Sequence, residues 1–261
     1  MSNTIIKFIS AIILAFTILI NGIGNFIGVG DIIPTQPEEE ITTNVETTEY
    51  DAQAAAEFLA FFNAETAKIA DNGSYSLERN AFYTKPIDVG GATDILNSII
   101  QAIDENSNLD TVVGGFLGIG VKEGSIPGYF NNQDYMIKST SLSAADLVAF
   151  SEENGIYSFT IANTSNPKKN KVSPLSNFTD DFVTHEEVVD GIAELTAAIT
   201  VKETNAEYKN INVEVVVENG KIAAISYSYD FDAEISLKAA VVAINGTGSI
   251  KTETTYSDIA Y

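Results

Sequence analysis

The chain has 261 residues with no cysteine, no tryptophan and a single histidine, and its 36 acids against 14 bases give a formal charge of −22. The missing cysteine removes disulfides, thiolate metal sites, iron–sulfur ligation and thiol nucleophiles together, and the lone His185 rules out a two-histidine metal site. So acidic a surface repels nucleic acid phosphates and anionic lipid headgroups, so a nucleic-acid partner is not expected, whereas 45% hydrophobic residues are enough to build a core.

In chain order, Lys7 precedes an uncharged stretch, Phe8–Gly30, whose first half (FISAIILAFTILI) has the length and apolarity of a signal-peptide core. Gly22-Ile23-Gly24 offers the small-x-small pattern of a cleavage site, and about 20 apolar residues also suffice to span a bilayer. Residues 1–30 are therefore read as a signal peptide or a membrane anchor. Either way, Lys7 stays inside and Asp31 onward lies outside. Residues 31–49 contain Pro34, Pro37 and the acidic run Glu38–Glu40, as expected of a solvated linker.

Residues 50–261 are expected to form one α+β domain. Tyr50–Ala70 has a broad apolar stripe at helical spacing and ends at Asn72-Gly73. Ser74–Thr84 reads as a strand closed by Pro86, and Ala92–Glu105 as a second amphipathic helix with Thr93 as its cap. Thr111–Val121 is apolar and glycine-rich, either a bent strand or a packed loop. Tyr135–Thr140 reads as a strand. Ser141–Glu153 reads as a helix opened by Ser143 and Asp146 and closed by Gly155. Ile156–Ala162 alternates as a strand, Asn163–Thr179 is a polar loop, and Thr184–Ile199 is a helix with the capping box Thr184…Glu187.

The C-terminal part carries the clearest pattern. Asn210–Val217 and Ile222–Phe231 flank Asn219-Gly220, the strongest short-range hairpin signal. Ala233–Ile244 and Ser249–Ile259 follow, split by Asn245-Gly246-Thr247-Gly248. The expectation is a curved antiparallel sheet with a four-strand C-terminal meander and amphipathic helices packed on one face.

Candidate sites follow from these patterns. Phe58, Phe61, Phe62 and Ile99 on the helices, with Tyr227, Tyr229 and Phe231 on one strand face, are the candidate lining of an apolar ligand pocket, or else plain core. Asp230, Asp232 and Glu234 on the opposite strand face are the candidate oxygen ligands of a hard cation. Same-face side chains stand about 7 Å apart along a strand, which opposes a shared ion, and an EF-hand would need Gly and Glu where the chain has Ile235 and Val241.

The remaining motifs each have a plain reading. His185 beside Thr184 is read as a first-turn residue. Gly114, Gly115, Gly118, Gly120 and Gly124 miss the dinucleotide spacing because Glu123 stands where glycine is needed, and no P-loop Gly-Lys-Ser/Thr follows. Lys168, Lys169 and Lys171 form a basic loop that could balance acids or touch envelope anions. Asn72, Asn163, Asn177 and Asn245 head sequons at a chance frequency. No cofactor is implied.

The chain is thus expected to be a non-enzymatic extracytoplasmic protein. Its partners would be the membrane, through residues 8–30, and an apolar small molecule or an envelope component. A solid-cored structural or surface-interaction module and a carboxylate-based hydrolase are the alternatives, the latter without a selected acid pair and without tryptophan platforms.

Overall fold

The computed structural model describes residues 50–103, 105–111, 114, 119–126, 135–168, 170–195, 199–239 and 242–261. The leader, the acidic linker and most of the glycine-rich stretch lie outside the described residues. Among those described, no helix is long and apolar enough to cross a membrane.

The first helix, α1 (Ala52–Asn72), starts where Asp51 accepts hydrogen bonds from the amides of Gln53 and Ala54, both at 3.0 Å. It stops at Gly73, where an added Cβ would sit 2.5 Å from the Ile69 carbonyl oxygen. Its apolar stripe, Ala55, Phe58, Leu59, Phe62 and Ile69, is buried.

The strands are β1 (Ser74–Asp88), β2 (Gly120–Ile126), β3 (Leu147–Glu153), β4 (Ile156–Ile161), β5 (Thr164–Ser165), β6 (Ile199–Glu218), β7 (Lys221–Ala239) and β8 (Val242–Ala260). They form one open antiparallel sheet in the order β2-β1-β8-β7-β6-β4-β3, with β5 paired to β6. Among the described residues, two further helices are α2 (Thr93–Ile103) and α3 (His185–Leu195), and single 3₁₀ turns lie at Gly90–Ala92 and Ala144–Asp146.

Period-two alternation sorts the strands into an inner and an outer face. The inner face carries Ile225, Tyr227, Tyr229 and Phe231 of β7 and Val213 and Val215 of β6, all buried. Helix α1 lies on this face. The Phe58 ring stacks on Tyr157 at 4.0 Å between centroids, and Phe62 meets Phe159 edge-on at 5.9 Å.

Several elements differ from the sequence expectation. The C-terminal meander has three long strands, not four. Residues 233–239 continue β7, and 245–248 lie inside β8, where Gly248 pairs with Ala233 and Gly246 with Ile235. These glycines serve close approach, since a Cβ at Gly248 would lie 2.6 Å from the Ile87 side chain of β1. The fourth neighbour in this stack is β1, which pairs β8 and runs through Pro86 to Asp88 with register shifts after Tyr83 and Lys85.

Ser141–Glu153 is not a helix. The Ser143–Asp146 capping box forms, but over a single 3₁₀ turn. Leu147 onward then pairs with β4, buries Leu147, and brings the Phe150 ring 5.8 Å from Phe58. Asn154 and Gly155, at φ 55° and 81°, make a two-residue hairpin turn rather than a helix end. Asn219 and Gly220 do the same between β6 and β7, as expected.

Tyr135–Thr140 is irregular rather than a strand, held by the Ile137 amide donating to the Tyr75 hydroxyl at 2.9 Å. Thr93 is the first residue of α2, not its cap; its hydroxyl donates to Asp88 and accepts from the Val89 amide. Helix α3 opens on the expected capping box, with the Thr184 amide donating to Glu187 at 2.9 Å and the Glu187 amide to Thr184 at 3.2 Å. It is described to Leu195, and Ile199, the expected last helical residue, belongs to β6.

Candidate functional site

The two faces of the sheet differ in chemistry, and each holds some of the candidate residues. On the inner face, Phe58, Phe62, Tyr227, Tyr229 and Phe231 are buried and belong to one core cluster that Phe61 flanks. They fill the space between α1 and the sheet. The void left beside Phe62, Phe178 and Tyr227 is about 10 Å³, about the room one water needs. The Ile99 side chain lies outside the described residues.

Polar groups organise the centre of this interior. Arg79, the single arginine of the chain, projects inward from β1 and is 2% exposed. Its Nε and Nη2 donate to the two carboxylate oxygens of Asp181 at 2.9 and 3.0 Å, and the guanidinium lies 4.5 Å from the centre of the Tyr135 ring. Burial works against the charge on Arg79, yet the Asp181 carboxylate outweighs it and holds the guanidinium pKa above its ordinary value.

Around the ion pair, tyrosine hydroxyls fasten the covering loops to the sheet. Tyr227 donates to the Asp181 carboxylate at 3.3 Å and Tyr229 to the Asp181 carbonyl at 3.1 Å. Tyr256 donates to the Tyr135 carbonyl at 2.8 Å, and Tyr208 accepts from the Val183 amide at 2.8 Å. Burial pushes all four phenols above their usual range. The segment expected to be a polar loop, Asn163–Thr179, contributes Leu175 and Phe178 to this core, both buried. Sequence reasoning missed the Arg79–Asp181 pair. Its available signal was a lone arginine on a strand position in phase with Leu77 and Ala81.

The outer face is the opposite in character. Register places Glu78 of β1 beside Thr255, then Ser226, Glu214, Ser158 and finally Ser151 of β3, one residue per strand across the sheet. A second row runs through Asn80, Glu253, Ser228, Asn212 and Thr160. Between β3 and β8 these residues, together with Tyr50, Phe150, Phe159 and Tyr227, line a trough of about 700 Å³, within the range of small-molecule sites. Thr160 donates to Asn212 at 2.8 Å, and Ser226 and Thr255 share a hydrogen bond at 3.2 Å.

The candidate cation ligands also lie on this face, farther along β7. Asp232 accepts from Lys209 at 3.2 Å and from Ser249 at 2.5 Å, and the Ser249 bond and the Lys209 ammonium hold its carboxyl below the usual range. Asp230 accepts from Asn210 at 2.7 Å, and Glu234 is exposed. Protein donors thus occupy the carboxylates of Asp230 and Asp232. Among the described residues, no three side chains of the metal-binding types converge.

The other candidates have ordinary local roles. His185 Nδ1 shares a 2.7 Å hydrogen bond with Thr204 of β6, docking α3 on the sheet. Lys168 and Lys171 share a turn, in which the Lys171 amide donates to the Lys168 carbonyl at 3.1 Å; Lys169 lies outside the described residues.

No protein-family model, curated protein or solved structure matches this chain. Function therefore has to be read from the chemistry of the two faces. Among the described residues, Glu65 and Asp232 have carboxyls held low, Glu65 by the hydrogen bonds from Lys68 and Tyr261. That is the behaviour of satisfied anions rather than of a general acid.

Proposed function

We propose that this chain is a non-enzymatic extracytoplasmic interaction protein. Residues 1–30 hold it at a membrane or export it, 31–49 form an acidic spacer, and 50–261 fold as one α+β domain with the helices gathered on the inner face. The outer face is left for contact.

One observation carries this reading: a filled, ion-paired interior on one side of the sheet and an open trough of about 700 Å³ on the other. An apolar ligand between α1 and the sheet would have to displace Phe58, Phe62 and Tyr227. Displacing packed aromatics costs several kcal/mol each, at about 3–5 kcal/mol for a buried Phe lost from a core. The trough is open without rearrangement. The uncharged leader and the absence of cysteine support the location.

The cysteine-free chain makes the test clean. Single variants Asp71→Cys, at the exposed end of α1, and Ser228→Cys, in the trough, are treated with a maleimide that does not cross lipid. In intact host cells the thiol at position 71 should label and the thiol at position 228 should be protected, and both should label after extraction and purification. An unlabelled position 71 in intact cells refutes the location. Equal labelling of both positions in cells refutes the trough as a working surface.

A further inference from the structure

The outer face has an electrostatic bias that the fold itself does not neutralise. Glu78 of β1 stands directly opposite Glu123 of β2, and Glu214 lies in the same cross-strand row on β6. Like charges placed directly opposite in an antiparallel pair are destabilising. Among the described residues, no lysine or arginine pairs with Glu78, Glu123 or Glu214. Glu253 alone is paired, with Lys251 at 2.8 Å, an exposed contact of small energetic weight. The charged side chains lining the trough proper are both acids, Glu214 and Glu253.

We propose that the trough is a docking surface for an extended cationic segment of a polypeptide. This rests on the reading of the outer face as the contact surface and adds the class of partner. Charge complementarity selects a cation, and the shape and lining select a chain over a point charge. Glu214 and Glu253 sit on β6 and β8, two strands and one row apart, a separation of about 12 Å from ordinary sheet spacings. Basic side chains four positions apart lie on the same face of an extended chain and span about 13 Å at about 3.3 Å per residue.

Between the two acids lie Ser226, Ser228 and Asn212, short groups that both donate and accept. They match the alternating amides and carbonyls of an extended backbone without steric obstruction. Aromatic residues border the trough as well, Tyr50 and Phe150 at its β3 side and Phe159 and Tyr227 beneath it. The acidity of the chain as a whole would also speed encounter with a basic partner.

The test uses the full chain in a non-ionic detergent and a fluorescent deca-lysine peptide, with affinity read by anisotropy at low and at physiological salt. The charge-neutralised pair Glu214→Gln/Glu253→Gln is compared with a control pair that removes the same charge from α1, Glu57→Gln/Asp71→Asn. The trough variant should bind about tenfold more weakly than wild type, a loss of about 1.4 kcal/mol, while the control stays within about twofold. Equal losses in both variants would mean diffuse attraction to a polyanion and would overturn the proposal, as would no binding to the wild type at low salt. Circular dichroism of each variant excludes misfolding as the cause. If the Ser228→Cys thiol is protected in cells while deca-lysine does not discriminate, the contact surface stands and the partner class is wrong. If that thiol is not protected, the functional reading itself falls.

Discussion

Removing the Asp181 carboxylate should be among the most destabilising single changes on the inner face. In Asp181→Ala the Arg79 guanidinium, with its side chain 2% exposed, loses both hydrogen bonds of 2.9 and 3.0 Å to its counter-ion. Stranding a buried charge in this way costs about 3–5 kcal/mol. The Tyr227 hydroxyl also loses an acceptor, but at 3.3 Å that bond is long and adds no more than about 1 kcal/mol. The sum of about 3–6 kcal/mol is comparable with the whole stability of a typical domain, about 5–15 kcal/mol.

Replacing both partners tests the cause. Arg79→Met/Asp181→Leu removes the charge together with the need for it, and such apolar replacements are neutral or stabilising by about 1–4 kcal/mol. Equilibrium unfolding in urea, followed by circular dichroism and by tyrosine fluorescence in a chain without tryptophan, measures both. With a slope of about 2 kcal/mol per molar, the single variant should lose at least about 1.5 M in midpoint, and the double variant should recover most of it. A single variant within about 1 kcal/mol of wild type would mean that the pair is hydrated. A double variant as unstable as the single would mean that volume, not charge, sets the cost. Either result refutes the account of this interior.

Other consequences are simpler. Tyr83 and Tyr261 have phenols pushed up to about 12, and the phenols of Tyr208, Tyr227, Tyr229 and Tyr256 are raised by burial as well. A raised folded pKa stabilises fully below the unfolded value of about 10 and is lost as pH climbs through the folded value. Spectrophotometric titration should therefore show these tyrosines ionising together with loss of secondary structure between about pH 10 and 12; smooth ionisation near 10 with the fold intact would contradict their burial. At the acid end, Glu65 contributes stability above its unfolded pKa that disappears as pH falls through its depressed folded value. Glu65→Gln should flatten the thermal melting profile in that window, and an unchanged profile would remove the residue from the account. Gly155→Ala forces φ 81° on a residue with a Cβ and places that atom 3.1 Å from the Val217 carbonyl oxygen. It should cost about 1–2 kcal/mol in urea unfolding, against a few tenths if the turn rearranges freely. Thr184→Ala removes the side-chain half of the α3 capping box and should cost about 1 kcal/mol in the same assay.

Much of the local structure was legible in the chain because it depends on neighbours in sequence. The Asn72-Gly73 end of α1, the Thr184…Glu187 box, the Asn219-Gly220 turn and the alternation that sends Tyr227 and Tyr229 inward are all short-range chemistry. Failures came where distant contacts outweighed local preference. Ser141–Glu153 carries a genuine capping box, yet it becomes a strand because β4 offers a ladder and Phe58 a partner for Phe150. Gly246 and Gly248 resemble turn residues, but the side chains of β1 determine their role.

The sequence by itself determined the acidic, thiol-free character of the chain, the apolar front end and the periodicities that make an antiparallel sheet with an inner and an outer face. Periodicity is a property of consecutive side chains, so it survives without knowledge of the fold. Only the tertiary structure decided that Arg79 meets Asp181 across 102 positions, that the aromatic face is filled, and that Glu78, Glu214 and Glu253 share a surface around an open trough. Strand order and register brought those groups together, and both depend on which distant segments pair, a choice made by burial summed over the whole sheet.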